Sequence, residues 1–165
     1  MQPIHRWAAA LTAAFGLLAL GGCDPQRISE LEEDVSTEAD VRDRFGEPEN
    51  IWPEAGGART FEYNRQPAGH QNYMITIGVD GKMTALRQVV APQVFDQVRP
   101  GLTQQEVRRM LGKPAKRMQY ERKRETDWDW RYVDPPTTEM LFTVTFDEQG
   151  RVLRTARSLV QRDGP

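Results

Sequence analysis

The feature that most constrains this chain is an internal repeat. Thr37-x-x-x-Val41-x-x-x-Phe45-Gly46-x-Pro48 recurs as Thr103-x-x-x-Val107-x-x-x-Leu111-Gly112-x-Pro114, with the same offset of 66 residues at each position. The fold must therefore be built twice from one short plan. Aromatic and apolar runs follow in the same order in both halves. Phe61-x-Tyr63 pairs with Trp130-x-Tyr132, and Ile77-x-Val79-Asp80-Gly81-x-Met83 pairs with Val144-x-Phe146-Asp147-x-x-Gly150-x-Val152. The spacing drifts there, as loops between strands allow.

Each half can be read locally. Thr37 and Thr103 are N-caps, and Glu106 completes a capping box with Thr103; Asp40 gives Thr37 a weaker one. Val41 with Phe45, and Val107 with Leu111, are four apart and share a helix face. Gly46 and Gly112 end each helix, and Pro48 and Pro114 keep it from resuming. Helices this short need a surface to lie on. Alternating runs supply it as strands: 59–63, 73–79 and 83–90 in the first half, 117–122, 127–133, 140–146 and 151–159 in the second. Tyr73, Ile75, Ile77 and Val79 are expected on one face. The expected fold class is α+β: two tandem small units, spanning 37–91 and 95–159, each a short N-terminal helix packed on a three- or four-stranded antiparallel sheet. Ile28, Leu31 and Val35 recur at helical spacing, which predicts a short helix ahead of the first unit.

Residues 1–22 read as a signal peptide: Arg6 gives a positive start, Trp7 to Leu20 is apolar apart from Thr12, and Gly21-Gly22 follow. The apolar run is shorter than the roughly 20 residues of a membrane-spanning helix. Leu20-Gly21-Gly22-Cys23 resembles the lipobox of bacterial lipoprotein precursors. The resemblance implies cleavage before Cys23, diacylglycerol on its thiol and acylation of the new N-terminus, a multi-chain anchor firmer than a single acyl group. Residues 23–36 are then a lipidated tether on a periplasm-facing protein. The outer membrane is the first expectation; Asp24, an inner-membrane retention signal in some enterobacterial lipoproteins, keeps the inner membrane open. Cys23 is the one cysteine, so no disulfide holds the chain together.

The 165 residues carry a formal charge of -2 with no long basic run, so there is no electrostatic footprint for nucleic acid. No nucleophile elbow, phosphate-binding glycine loop or zinc-ligand spacing occurs, and no metal or cofactor is expected. His70 sits in a polar loop, where a lone histidine reads as solvent-exposed. An enzyme is therefore not expected. Two features suit a binding partner instead. Arg117 with Arg122-Lys123-Arg124 is the basic cluster, either a solvated strand edge and loop or an attractant for anionic headgroups or an acidic protein. Trp128, Trp130 and Tyr132 share one strand face. Trp130 and Tyr132 are expected in the core if that face is inward, while Trp128 lies nearer the strand start. On a concave sheet face Trp52, Trp128 and Trp130 would serve as interface anchors.

The run Gly101-Leu102-Thr103-x-x-x-Val107-x-x-x-Leu111-Gly112-x-Pro114, continued by Trp130-x-Tyr132 and Val144-x-Phe146-Asp147 with Gly150 and Val152, resembles the BamE (SmpA/OmlA) family of outer-membrane assembly lipoproteins. The likeness covers 98 to 157 well and 28–90 more weakly, where Ser36 rather than Gly-Leu precedes Thr37. That family has one such domain; this chain has two. The tandem form is also similar to the β-lactamase inhibitor proteins, whose two halves make one concave face that grips another protein. The resemblance implies a non-catalytic envelope lipoprotein that binds subunits of the barrel-assembly machinery. The alternative is a lipid-anchored periplasmic inhibitor or binding module unrelated to barrel assembly.

Overall fold

The computed structural model describes residues 28–160. In chain order the elements are α1 (Glu38–Phe45), β1 (Asn50–Pro53), a 3-10 turn (Ala55–Gly57), β2 (Arg59–Asn64), β3 (Asn72–Ile77), β4 (Met83–Gln88), α2 (Pro92–Phe95), α3 (Gln104–Leu111), β5 (Lys116–Tyr120), β6 (Glu125–Asp134), β7 (Thr138–Phe146) and β8 (Val152–Leu159). The strands make two four-stranded antiparallel sheets, ordered β1-β2-β3-β4 and β5-β6-β7-β8. The chain is α+β, with two similar units, as the repeat predicts.

The repetition extends to single hydrogen bonds. Thr37 and Thr103 each accept from the backbone of the third helical residue, and Asp40 and Glu106 each return a bond to the cap's own N–H, so both capping boxes are complete. Aspartate is long enough for this at Thr37, contrary to the weaker box expected there. Glu38 N–H donates to Gly81 O and Gln104 N–H to Gly150 O, tying each helix start to the last hairpin of its own sheet. The C-cap glycines lie at φ 81 and 73. Tyr63 Oη donates to Gly46 O (3.1 Å) and Trp130 Nε1 to Gly112 O (3.2 Å). Burial pushes the Tyr63 hydroxyl up to about 12, so it remains a donor.

Those two bonds correct the sequence pairing. Trp130 stands where Tyr63 stands, and Trp128 where Phe61 stands. The registers agree: Asn50 faces Glu62 and Lys116 faces Asp129, so the offset is 66 on the first strand and 67 on the second. It becomes 69 on the third and fourth strands, where Ile75 faces Leu86 and Val144 faces Thr155. Even the bulge recurs, between Thr76 and Ile77 and between Thr145 and Phe146.

Other expectations need correction. Residues 29–36 run as turns, not as a helix, although Ile28 and Leu31 do pack on the first core. Val79 lies past the end of β3 and is exposed. β1 and α2 are additions to the expected elements. The expected leader, 1–22, and the expected lipidation site, Cys23, lie outside the described residues.

Each unit has its own core. Val41, Phe45, Phe61, Tyr63, Ile75 and Ile77 fill the first; Val107, Leu111, Trp130, Phe142, Val144 and Phe146 fill the second, joined by Phe95 and Val98. A domain of about 60 residues buries only about 60% of its unfolded surface and is marginal alone. The units are in fact docked. The face of the first sheet that points away from α1 carries Glu62, Asn72 and Met74, all buried, and α3 of the second unit covers it. Glu62, with no exposed surface, pairs with Arg108 Nε of α3 (3.2 Å) and accepts from Trp52 Nε1 (3.0 Å) and Asn64 Nδ2 (2.9 Å). Asn72 Nδ2 donates to Leu111 O (2.8 Å) and Lys113 O (3.0 Å), satisfying carbonyls that the end of α3 leaves orphaned. Lys113 N–H donates to Asn64 Oδ1 (2.8 Å). This contact requires glycine at 112: a Cβ there would stand 2.6 Å from Asn64 Oδ1 and 2.9 Å from Asn72 Nδ2.

Docking also corrects the expectation of one concave face shared by both sheets, because the first sheet's outward side is spent on α3.

Glu62→Ala leaves Arg108 facing an emptied, partly buried site. It should cost about 3 kcal/mol in urea unfolding, the range seen on breaking buried pairs. Glu62→Gln keeps acceptor capacity and should cost less. Equal stability of wild type and Glu62→Ala would mean that the seam does not depend on this carboxylate.

Candidate partner-binding surface

With α3 between the sheets, the free surfaces of the second unit are the outward face of its sheet, the β5–β6 hairpin and the last strand, β8. On the outward face, Asp127 and Asp129 alternate along β6 and accept from Thr145 Oγ1 (2.7 Å) and Thr143 Oγ1 (2.6 Å) of β7. Arg154 of β8 forks onto Glu125 (3.0 and 2.7 Å), and the hydrogen bonds hold that carboxyl below its usual range. The face is wet and internally paired. Tyr120, Val133 and Leu153 are its large exposed apolar neighbours.

The hairpin tip is different. Arg122, Lys123 and Arg124 are all exposed, and Arg124 takes a left-handed φ of 52 that turns the chain into β6. Lys123 Nζ lies 5.9 Å from the ring of Tyr120, and Arg124 reaches Glu148 at 3.4 Å in an exposed pair. Such a pair is worth little in water. The tip is thus a cationic, partly aromatic projection. Arg117 is not part of it: its guanidinium stacks 4.3 Å over the Trp128 ring on the inward face. Burial, then the neighbouring charge of Arg108, lower its affinity for a proton.

The tryptophans expected as anchors are accounted for inside the molecule. Trp130 is fully buried, and Trp128 is buried against Phe146 (4.9 Å between ring centroids), because both point toward α3 and neither faces outward. Trp52 lies in the seam, donating to Glu62 with Arg109 5.5 Å over its ring. The inter-unit residues Glu62, Asn64, Gln66 and Asn72 escaped sequence reading. Gln66 is the clearest case. β5 stops opposite Asp129, and the Gln66 amide takes the next place, donating to Arg131 O (2.7 Å) and accepting from Arg131 N–H (3.2 Å). Nothing in Asn64-Arg65-Gln66-Pro67 signals a strand substitute.

His70 is also drawn into the seam and is only part-exposed, with Nε2 3.7 Å from Glu139 Oε1. Among the described residues no group of three or more His, Cys, Asp or Glu side chains is placed to hold a metal ion, and no helix is long and apolar enough to cross a membrane.

Residues 88–156 match the family model of the outer membrane protein assembly factor BamE domain. The second unit is therefore similar to that domain; the match begins at Gln88, the last residue of β4, and takes in no other strand of the first sheet. No curated protein matches the chain. Among solved structures, a DUF4309 family protein (YjgB) from Bacillus subtilis aligns at 18% identity and TM-score 0.33, over 82% of this chain and 86% of that one. A putative beta-lactamase inhibitor protein from Streptococcus mutans aligns at 9% identity and TM-score 0.34, over 86% of this chain and 99% of that one.

The seam has a pH dependence. Burial pushes the Glu49 carboxyl up, but hydrogen bonds from Lys113 Nζ (2.7 Å) and Asn64 Nδ2 (3.0 Å) outweigh it and leave it below 4.5. A depressed carboxyl stabilises the fold above its unfolded value and stops doing so as pH falls through the folded one. Denaturation midpoints should therefore drop as pH is lowered past 4.5, and drop less in Glu49→Gln. Parallel declines would exclude Glu49 as a contributor.

Proposed function

We propose that the chain is a non-catalytic envelope lipoprotein that binds partner proteins in the assembly of outer-membrane β-barrels. The match of residues 88–156 to the outer membrane protein assembly factor BamE domain carries this reading. The leader 1–22 is removed, Cys23 is acylated and anchors the protein to the outer membrane on its periplasmic side, residues 28–36 of the expected 23–36 tether lie along the first unit instead, and two BamE-like repeats follow at 37–91 and 95–159. Several acyl chains hold such a protein at the bilayer without any spanning helix.

The partner contact in this reading is the hairpin tip with Arg122, Lys123 and Arg124, beside the exposed ring of Tyr120. Exposed cations steer association with an acidic surface and suppress wrong partners, and an adjacent aromatic supplies area that leaves water on contact. Trp128 and Trp130 act one step removed, as the packing that holds β5 and β6 in place. Trp52 belongs to the seam and keeps the second unit aligned on the first.

The test is a crosslinking pulldown of the full-length protein from its native envelope, with Cys23→Ser as the mislocalised control. Recovery of barrel-assembly subunits that is lost in the control is the expected result. Enrichment of an unrelated periplasmic or inner-membrane protein would sink the assembly role. A second strain carrying Arg122→Glu, Lys123→Glu and Arg124→Glu should lose the same subunits while each change shifts stability by no more than about 0.5 kcal/mol, as exposed substitutions do. Undiminished recovery would move the contact elsewhere.

A further inference from the structure

A sheet edge is a row of backbone donors and acceptors without partners, and natural chains cover or blunt it. β4, the last strand of the first sheet, is covered. Met83 N–H donates to Ser36 O (2.8 Å), Asp34 N–H to Met83 O (2.7 Å), and Leu86 N–H to the Glu33 carboxylate (3.0 Å). The cover is the acidic stretch Glu32-Glu33-Asp34 that precedes α1.

β8 is the equivalent strand of the second unit, and its first residue is covered in the same way. Val152 N–H donates to Leu102 O and Gly101 N–H to Val152 O, both at 2.8 Å. There the correspondence stops. Thr155 holds the place of Leu86, since Val144 faces Thr155 as Ile75 faces Leu86. The stretch before α3 is one residue shorter there, because Gly101 stands where Asp34 does and Leu102 where Ser36 does, and its one charged residue between Gln97 and Leu102 is Arg99. Among the described residues no carboxylate reaches the Thr155 N–H, and no acid pairs with the exposed Arg99 side chain. The alternation of an antiparallel ladder fixes which groups are open. Val160 N–H donates inward to Glu139 O (3.1 Å), so Leu159, Arg157 and Thr155 present their N–H and C=O outward. After Val152 the whole strand is exposed. Beside it runs a shallow groove with Phe95 and Phe142 in its lining and Asp96, Arg99 and Thr155 around them.

The other edges differ. β1 is short and ends in Pro53, and β5 has five residues, two of them basic at its start. Among the described residues β8 is the long open edge; Arg154 is held by Glu125 (2.7 Å) and Arg157 by Asp96 (2.5 Å), which leaves Arg99 as the unpaired cation beside it. A second copy of β8, whose residues Val152–Leu159 include no acid, would bring Arg99 no counter-charge, whereas an acidic strand would.

We propose that the β8 edge receives an extended acidic segment of a partner protein, which pairs along Thr155–Leu159 and sets a carboxylate against the Thr155 N–H and Arg99, where the first unit supplies Glu33 to its own β4. This is addition of a strand to a sheet edge, with affinity from main-chain bonds and selectivity from side chains at alternate positions. It rests on the partner-binding reading in general and on no particular partner.

The experiment uses the purified full chain in detergent and two capped synthetic octapeptides, one alternating glutamate with valine and one alternating lysine with valine. The readout is amide hydrogen exchange at Thr155, Arg157 and Leu159. The glutamate peptide should slow these amides, and the lysine peptide should not. Arg99→Glu should weaken glutamate-peptide binding by about tenfold or more, the loss of one charge-assisted contact. Thr155→Pro, which removes an outward N–H and no ladder bond, should abolish it. Where the proline variant fails to fold, the exposed Arg99→Glu change decides the same question. Equal effects of the two peptides, or none from either, would overturn the proposal. So would edge amides already protected in the free protein together with a doubled mass in sedimentation, which would make a second copy the occupant. Either failure leaves a positive envelope pulldown standing, and a negative pulldown leaves the peptide result standing.

Discussion

The structure depends on one carboxylate placed where water cannot reach it. Glu62 sits in the middle of the first sheet's outward face, and an unpaired charge there would cost several kcal/mol. Arg108, Trp52 and Asn64 meet it from three sides, and only one of the three, Arg108, comes from the second unit. That guanidinium, together with the Asn72 and Asn64 bonds at the helix end, sets where α3 lies. Because α3 gives Val107 and Leu111 to its own sheet and Arg108 and its C-terminus to the other, the helix serves two cores at once. An eight-residue helix has little stability of its own, so being held from both sides is what makes it persist.

That arrangement decides which surfaces are left for other molecules. The first sheet has α1 on one side and α3 on the other. The second sheet has helices on one side only, and its outward face, hairpin tip and last strand meet solvent. The two units share a plan but not a job: the first is enclosed and acts as a base, and the second is presented. The family match, over 88–156, falls almost wholly on the presented half.

What could be read from the sequence was local. Caps, helix stops and strand alternation are written in residues a few positions apart, so Thr37, Gly46, Thr103 and Gly112 and the strand faces around Phe142 and Val144 were legible. The seam was not. Glu62 and Arg108 are 46 positions apart, and in the run Thr60-x-Glu62-x-Asn64 the polar alternation reads as a solvated face. Alternation tells which residues share a face; it does not tell whether that face is covered. The same limit placed Trp128 and Trp130 correctly on one side of β6 yet left open whether that side was a core or an interface. Short elements failed for another reason. Asn50–Pro53 and Pro92–Phe95 are too brief to show a period, and the unseen β1 let the aromatic pairing slip by two residues.

The two C-cap glycines show how far the halves have drifted in what they tolerate. Around Gly46 an added Cβ would meet nothing within 4 Å, so its remaining constraint is the backbone, at φ 81 and ψ -161, a region that essentially only glycine adopts. Gly112 has the same backbone but is pressed against Asn64 and Asn72, and one methyl group there would act as a wedge driven between the units. Tolerance at equivalent positions of this repeat should therefore be unequal: a side chain strains the backbone at both, and at Gly112 it also forces the joint between the halves apart.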